Sequence, residues 1–338
     1  MRFNEFTKKD KETSKKIARI NKRMQQDPNL VDEIFNTVAL KVKDNEGKIG
    51  DRIISMIQPE KTGPEQDQTA QDSYIKSLAA VISETEGSVE DKLKFANTLG
   101  SVNHIDIKAL QQPIAGWSDW LVGTEFSKKL FDNIYSDRRF QLANKGPGEA
   151  ALAFLSPQIK LRGGEGDIEV GGDPVEVKAG KTKSGGRFSP TSSVIGQPYN
   201  NLSFWRDIVE DEEKAKILSK KTTTAVNYNK FLIENDLDEE DSFEILRFIF
   251  QAASLRDVRS VANRGSDTEP KQLFKLALKN YAVAQNEENF LILQRDIQTS
   301  LYFSIDNVDE VISKIRFTLP LITSDTRTQG KAQIGIGS

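Results

Sequence analysis

The chain has 338 residues, a formal net charge of −3, no cysteine and a single histidine. Without cysteine there are no disulfides, cysteine-ligated zinc sites, iron–sulfur clusters or thiol nucleophiles, and one histidine rules out His-rich metal sites. No apolar run reaches the ~20 residues that a membrane-spanning helix needs, and the basic opening MRFNEFTKKDKETSKK lacks the apolar stretch of a signal peptide.

The length allows about two domains and an ample core. Residues 1–26 are strongly basic: between Lys8 and Arg23 there are eight Lys or Arg and two acids. Ile17, Ile20 and Met24 fall at helical spacing, which predicts an amphipathic or exposed helix, read first as a solvated terminal helix and in the alternative as a nucleic-acid-contacting arm. Residues 29–57 read as one or two helices broken near Asn45–Gly47, and 58–72 as a polar linker with two prolines and a glycine. Residues 73–99 carry helical patterning, with Ser88 as N-cap and Gly100 as stop. From 113 to 143, Trp117, Trp120, Leu121, Phe126, Leu130, Phe131 and Ile134 suit a buried helical face. Between these stretches lies His104, in SVNHIDIKAL, with no nucleophile elbow near it; it reads as structural or surface.

A hairpin follows. Asp167–Val170 is a short alternating run, Gly171-Gly172-Asp173-Pro174 a turn, and Val175–Lys178 a second run. Side chains alternate across a strand. Ile168, Val170, Val175 and Val177 therefore form one apolar layer. Asp167 and Glu169 share the opposite face of the first strand, and Glu176 and Lys178 that of the second. Clustered carboxylates raise each other's pKa or recruit a cation, and hard carboxylate oxygens suit Mg²⁺. A metal there acidifies water and stabilises charge at a phosphate, and a nearby lysine assists. Glu169 competes with Asp167 for the ligand role, since both lie on one face.

Beyond the hairpin, Lys181, Lys183 and Arg187 stand among three glycines in KAGKTKSGGR, a composition suited to gripping a phosphate. The spacing does not match a Walker A loop. Residues 200–262 read as acidic and helical, with the runs Glu210–Glu213 and Asp238–Asp241 as solvated faces or helix starts. Residues 270–287 open on a proline at a first helical position and carry Leu273, Leu276, Ala277 and Tyr281 at helical spacing. Phe290–Gln294 is a short apolar strand. Residues 300–305 and 315–322 read as further strands of the same sheet, and 323–338 as a mobile tail.

Glu149 on a short helix, Asp167 on a hairpin, and Glu176-Val177-Lys178 on its second strand together resemble the PD-(D/E)XK nuclease superfamily, with its restriction-endonuclease-like fold. The resemblance covers roughly residues 145–188. It departs from the family pattern in one place, where Gly166 rather than proline precedes Asp167. It implies an α/β fold: a mainly helical N-terminal region (1–143), a core of mixed sheet flanked by helices (144–322) with a helical insertion about 200–262, and a C-terminal tail (323–338). It also implies a metal held by Asp167, Glu176 and the backbone carbonyl of Val177. Lys178 would be the catalytic lysine and Glu149 the supporting helical carboxylate. The cofactor would be Mg²⁺, with Mn²⁺ substituting, and the reaction hydrolysis of DNA phosphodiesters, as an endonuclease rather than an exonuclease.

An enzyme that cuts both strands of a duplex suggests a homodimer, because two-fold DNA is matched by two-fold protein. The expected location is the cytoplasm of a prokaryotic or phage-infected cell, or a virion, and no membrane partner is expected. The competing expectation is a non-catalytic nucleic-acid-binding or assembly protein on the same fold, such as a phage structural component.

Overall fold

A computed structural model of the chain describes residues 36–37, 77–140, 146–162, 167–180, 186–188, 202–323 and 329–336. The expectations for 1–26 and for the linker at 58–72 lie outside these residues, as does nearly all of 29–57. Residues 77–84 are helical, and after them the α-helices among the described residues are, in chain order, α1 (Val89–Thr98), α2 (Ile107–Leu110), α3 (Trp117–Trp120), α4 (Glu125–Ser136), α5 (Pro147–Leu155), α6 (Leu202–Ile208), α7 (Glu212–Leu218), α8 (Tyr228–Glu234), α9 (Glu239–Ile249), α10 (Leu255–Ala262), α11 (Pro270–Gln285) and α12 (Val308–Ile312). The strands are β1 (Ala115–Gly116), β2 (Ile159–Leu161), β3 (Ile168–Val170), β4 (Asp173–Gly180), β5 (Gly186–Arg187), β6 (Thr223–Thr224), β7 (Asn289–Gln294), β8 (Thr299–Ser304), β9 (Ile315–Thr318), β10 (Pro320–Ile322) and β11 (Gln333–Ile336). The protein is mixed α/β, and its residues gather into two compact units. One takes the chain up to Asp106 together with Leu121–Gly163, and the other takes Ile107–Trp120 and everything from Gly164.

In the first unit, Ser88 caps α1 in a reciprocal capping box with Asp91, satisfying two of the helix's unpaired N–H groups. Gly100 adopts φ 74° just past the helix end, as a left-handed stop requires. The expected single face over 113–143 is broken: α3 ends at Trp120 and α4 begins only after its cap, Thr124. Thr124 accepts from the Ser127 N–H, so a second helix starts where the spacing suggested continuity. Phe126, Leu130, Phe131 and Ile134 of α4 are buried as expected. His104 is buried, stacks on Phe95 at 5.3 Å, and uses its backbone to bond Leu155 and Val122. Burial holds its imidazole below the ordinary value, which suits a neutral packing residue.

In the second unit, five strands of a mixed sheet run in the order β1-β8-β7-β4-β3. β4 pairs antiparallel with β3 and parallel with β7, placing Glu176 opposite Phe290 and Lys178 opposite Ile292. Parallel neighbours need a long crossover. Here it contains the helical stretch α6–α10 and ends in α11. Leu273, Phe274, Leu276, Ala277, Leu278 and Tyr281 of α11 join one apolar cluster with Phe290 and Ile292 of β7 and Leu301 and Phe303 of β8. Trp117 and Trp120 are both buried, and Trp120 donates its indole N–H to Ser300 at 2.9 Å. They are core residues rather than stacking platforms for bases. The acidic runs start helices: Asp211 caps α7, and Asp238 caps α9 in a capping box with Asp241.

Three expectations give way to longer-range pairing. The hairpin turn is two residues, Gly171 and Gly172, at φ 64° and 108°, so Asp173 and Pro174 already belong to β4. Two successive positive φ values are the condition of a type I′ hairpin, and adjacent glycines meet it without a steric cost. Residues 315–322 do not extend the main sheet, because β9 joins a three-stranded sheet ordered β5-β11-β9 and β10 pairs with β6. The tail is not loose throughout: Gln333–Ile336 is β11, with Ile334 and Ile336 buried and the Ile336 N–H bonded to Gln294 Oε1 at 2.6 Å.

Truncating Phe290, which is fully buried against Phe188 and Phe303, is expected to cost about 3–5 kcal/mol in Phe290→Ala. Ser88→Ala is expected to cost about 1 kcal/mol through the lost cap. Urea unfolding of both variants reads this ordering directly.

Candidate functional site

The period of two along β4 sorts its side chains. Val175 and Val177 are 0% and 3% exposed, and they join Ile168 and Val170 as the apolar layer expected of this hairpin. Glu176 and Lys178 project to the other face, with side chains 12% and 21% exposed. The Lys178 ammonium bonds Glu176 Oε1 directly. The same oxygen accepts the Tyr281 hydroxyl of α11 at 2.6 Å. The Lys178 Nζ also stands 5.4 Å from the centre of the Tyr281 ring, a cation–π distance.

Asp167 completes the group from the mouth of β3. Its N–H reaches the Val175 carbonyl at 3.1 Å, and its Oδ2 accepts the Val177 N–H at 3.0 Å. The ladder partner of that N–H is thus a side chain rather than a backbone carbonyl, which fixes the Asp167 carboxylate at the strand's end. The pairing of Ile168 with Val175 sets Asp167 beside Glu176 at the start of β3.

The charge states follow from competing effects. Burial pushes the Glu176 carboxyl up. The Lys178 ammonium, helped by hydrogen bonds with Lys178, Tyr281 and Asp167, outweighs burial and holds it below the ordinary glutamate value. Burial pulls the Lys178 ammonium down, but the Glu176 charge and the Tyr281 oxygen hold it above the ordinary lysine value. Tyr281 itself is pushed up by burial, so its hydroxyl stays protonated and donates.

The other expected site residues are distributed as follows. Glu149 belongs to the first unit, in the opening turn of α5, and is 6% exposed. A Cβ at Gly146, the residue capping that helix, would stand 2.7 Å from Glu149 Oε2, so the glycine leaves room for the carboxylate to fold back on its own helix start. Lys181 and Lys183 lie outside the described residues. Arg187 is described by its backbone, which pairs with Gln333. Glu169 sits opposite Pro174 in the hairpin, one pair further from the Asp167 end.

Tyr281 is the member of this cluster that sequence reasoning missed. Its helical spacing marks it as core, and its ring does pack against Phe188 at 5.2 Å and Phe290 at 6.1 Å. Only the strand–helix packing reveals that its hydroxyl ends on Glu176. A separate cavity of about 650 Å³ is lined by Phe204, Phe248 and Leu255 among α6, α9 and α10, away from this cluster. Its lining carries the carboxylates of Asp207 and Glu244 with the Arg247 guanidinium, and none of the residues of this cluster.

Among the described residues, no three Asp, Glu or His side chains converge to enclose a metal. The Asp167–Glu176 pair still fits a hard cation, since Mg²⁺ is commonly held by one or two carboxylates with water completing its shell. No helix among the described residues is long and apolar enough to cross a membrane. Comparisons of the chain with protein-family models, with curated proteins and with solved structures find no significant match.

The pair's stabilisation has a defined pH window. Glu176's lowered folded value makes its contribution complete above its ordinary pKa of 4.5 and lost as pH falls through the folded value. Lys178's raised value makes its contribution complete below 10.5 and lost as pH rises through the folded value. At pH 7, Glu176→Gln and Lys178→Met are each expected to destabilise by about 3–5 kcal/mol, because each strands a mostly buried charge. The double variant is expected to lose much less than the sum. Urea unfolding should also show the Glu176→Gln penalty shrinking at pH values below 4.5.

Proposed function

We propose that this chain is a Mg²⁺-dependent deoxyribonuclease of the PD-(D/E)XK type, acting as an endonuclease. The observation that carries the reading is the meeting of Asp167, Glu176 and Lys178 on the polar side of one hairpin. The chain order supports it: a helix with a buried glutamate, three strands, then a later helix leading to a strand parallel to β4.

In this reading the carboxylates of Asp167 and Glu176 and the carbonyl of Val177 hold the metal. Mg²⁺ bound there supplies charge neutralisation at the scissile phosphate and an acidified water. Lys178 keeps its proton and presents a positive charge to the attacking water and to the phosphate as negative charge builds. Asp167 is anchored by the Val177 N–H and holds its position without reorganising. Glu149 supports the metal shell, and Lys181, Lys183 and Arg187 grip the flanking phosphates. The substrate is DNA, with Mn²⁺ substituting for Mg²⁺ and a homodimer matching a two-fold duplex. The location is the cytoplasm of a prokaryotic or phage-infected cell, or a virion.

A second reading, a non-catalytic DNA-binding or assembly protein such as a phage component, draws support from one observation. Glu176, Lys178 and Tyr281 already satisfy one another, as a purely structural polar cluster would.

A cleavage assay with Mg²⁺ or Mn²⁺ on supercoiled, linear, single-stranded and branched DNA separates the two. The nuclease reading expects metal-dependent cutting that falls at least about 100-fold in Asp167→Ala and in Lys178→Ala. Cutting that survives in folded variants would overturn the roles given to Asp167 and Lys178, and no cutting together with no metal binding would favour the second reading.

A further inference from the structure

Glu176 Oε1 is claimed by two donors, the Lys178 ammonium and the Tyr281 hydroxyl, and only one of them is a cation. The ammonium therefore occupies the charge position that a divalent cation on Glu176 needs. Two cations cannot share one carboxylate at full strength, because each lowers the field that attracts the other. Tyr281 is neutral and can keep its bond through the exchange. Its ring is fixed by Phe188 at 5.2 Å and by Phe290 at 6.1 Å, and it also faces the Lys178 ammonium. An ammonium released from Glu176 thus keeps an aromatic face beside it, instead of being left uncompensated in a mostly buried place.

Resting on the nuclease reading, we propose that Lys178 is the placeholder for the divalent cation on Glu176 and that Tyr281 is the positioning residue that holds Glu176 while the two cations exchange. When a divalent cation binds, Lys178 leaves Glu176 Oε1 and becomes available to the substrate. The resting site is thereby closed by its own lysine, and the catalytic ammonium is released only when the metal is in place. The Tyr281 hydroxyl keeps the carboxylate aimed, so the exchange does not need the strand to move.

The test is binding of Mg²⁺ alone to the full chain, read by titration calorimetry and by the ¹⁵N resonance of the Lys178 ammonium, assigned by its absence in Lys178→Met. The expected results are a Lys178 resonance that shifts in step with Mg²⁺ saturation and a Lys178→Met variant that binds Mg²⁺ on the order of tenfold more tightly. Tyr281→Phe, which keeps the ring packing, is expected to bind several-fold more weakly. Metal binding with an unmoved Lys178 resonance overturns the proposal and leaves the nuclease reading standing. So does Lys178→Met binding that is unchanged or weaker. Absence of Mg²⁺ binding in both wild type and Lys178→Met overturns both. If Lys178→Met does not fold, the resonance is assigned by its absence in Lys178→Arg, which keeps the positive charge, and its response to Mg²⁺ alone decides the matter.

Discussion

Strand β4 is hydrogen-bonded on both edges, antiparallel to β3 and parallel to β7, and this double pairing is the constraint from which the site follows. A strand held on both sides cannot rotate or slip, and a slip of one residue would exchange its two faces. Val175 and Val177 are buried in the apolar layer, so Glu176 and Lys178 are forced to the other side together. The cost of placing them there is met locally. Each charge satisfies the other, and the helix packed over β7 contributes the Tyr281 hydroxyl. Asp167 arrives by a different device, its carboxylate substituting for a backbone acceptor at the point where β3 begins.

Local signals in the sequence proved legible in proportion to how local the interactions are. The Ser88 cap is decided within three residues and forms, and the acidic runs do start helices, with Asp211 and Asp238 as the capping residues. The valine–isoleucine layer is decided by a period of two over one hairpin, and it too forms. The expected turn is two residues longer than the one that forms, because Asp-Pro is turn chemistry in isolation. Two adjacent glycines at positive φ close the loop sooner and leave Pro174 in the strand, facing Glu169. The helix expected over 113–143 was interrupted because the apolar spacing continues through Trp120–Leu121, whereas a new capping residue, Thr124, restarts the backbone bonding.

What was not legible depends on partners far along the chain. β9 and β10 read as one apolar strand, yet they part at Leu319 because β9 finds β11 and β10 finds β6. Tyr281 looked like any other core aromatic, and its ring behaves as one. The polar end of the side chain acquires a role only when α11 lies over the sheet. The candidate site shows the same division. The pairing of Glu176 with Lys178 is visible from spacing two on a strand, while the third member of the cluster is not.

The three-stranded sheet β5-β11-β9 has a bearing on how the protein is made. β5, only a few residues beyond the end of β4, has β11 as its partner, through Gln333 opposite Arg187. The N–H of the neighbouring Phe188 is likewise satisfied by Ala332. During synthesis the segment leaving the candidate site therefore waits for nearly the whole second unit to emerge before its backbone is paired. Such late closure of distant segments is the slow, high-contact-order part of folding. A nascent chain that stalls before Gln333 would leave Gly186–Phe188 without the backbone partners that β11 and Ala332 supply.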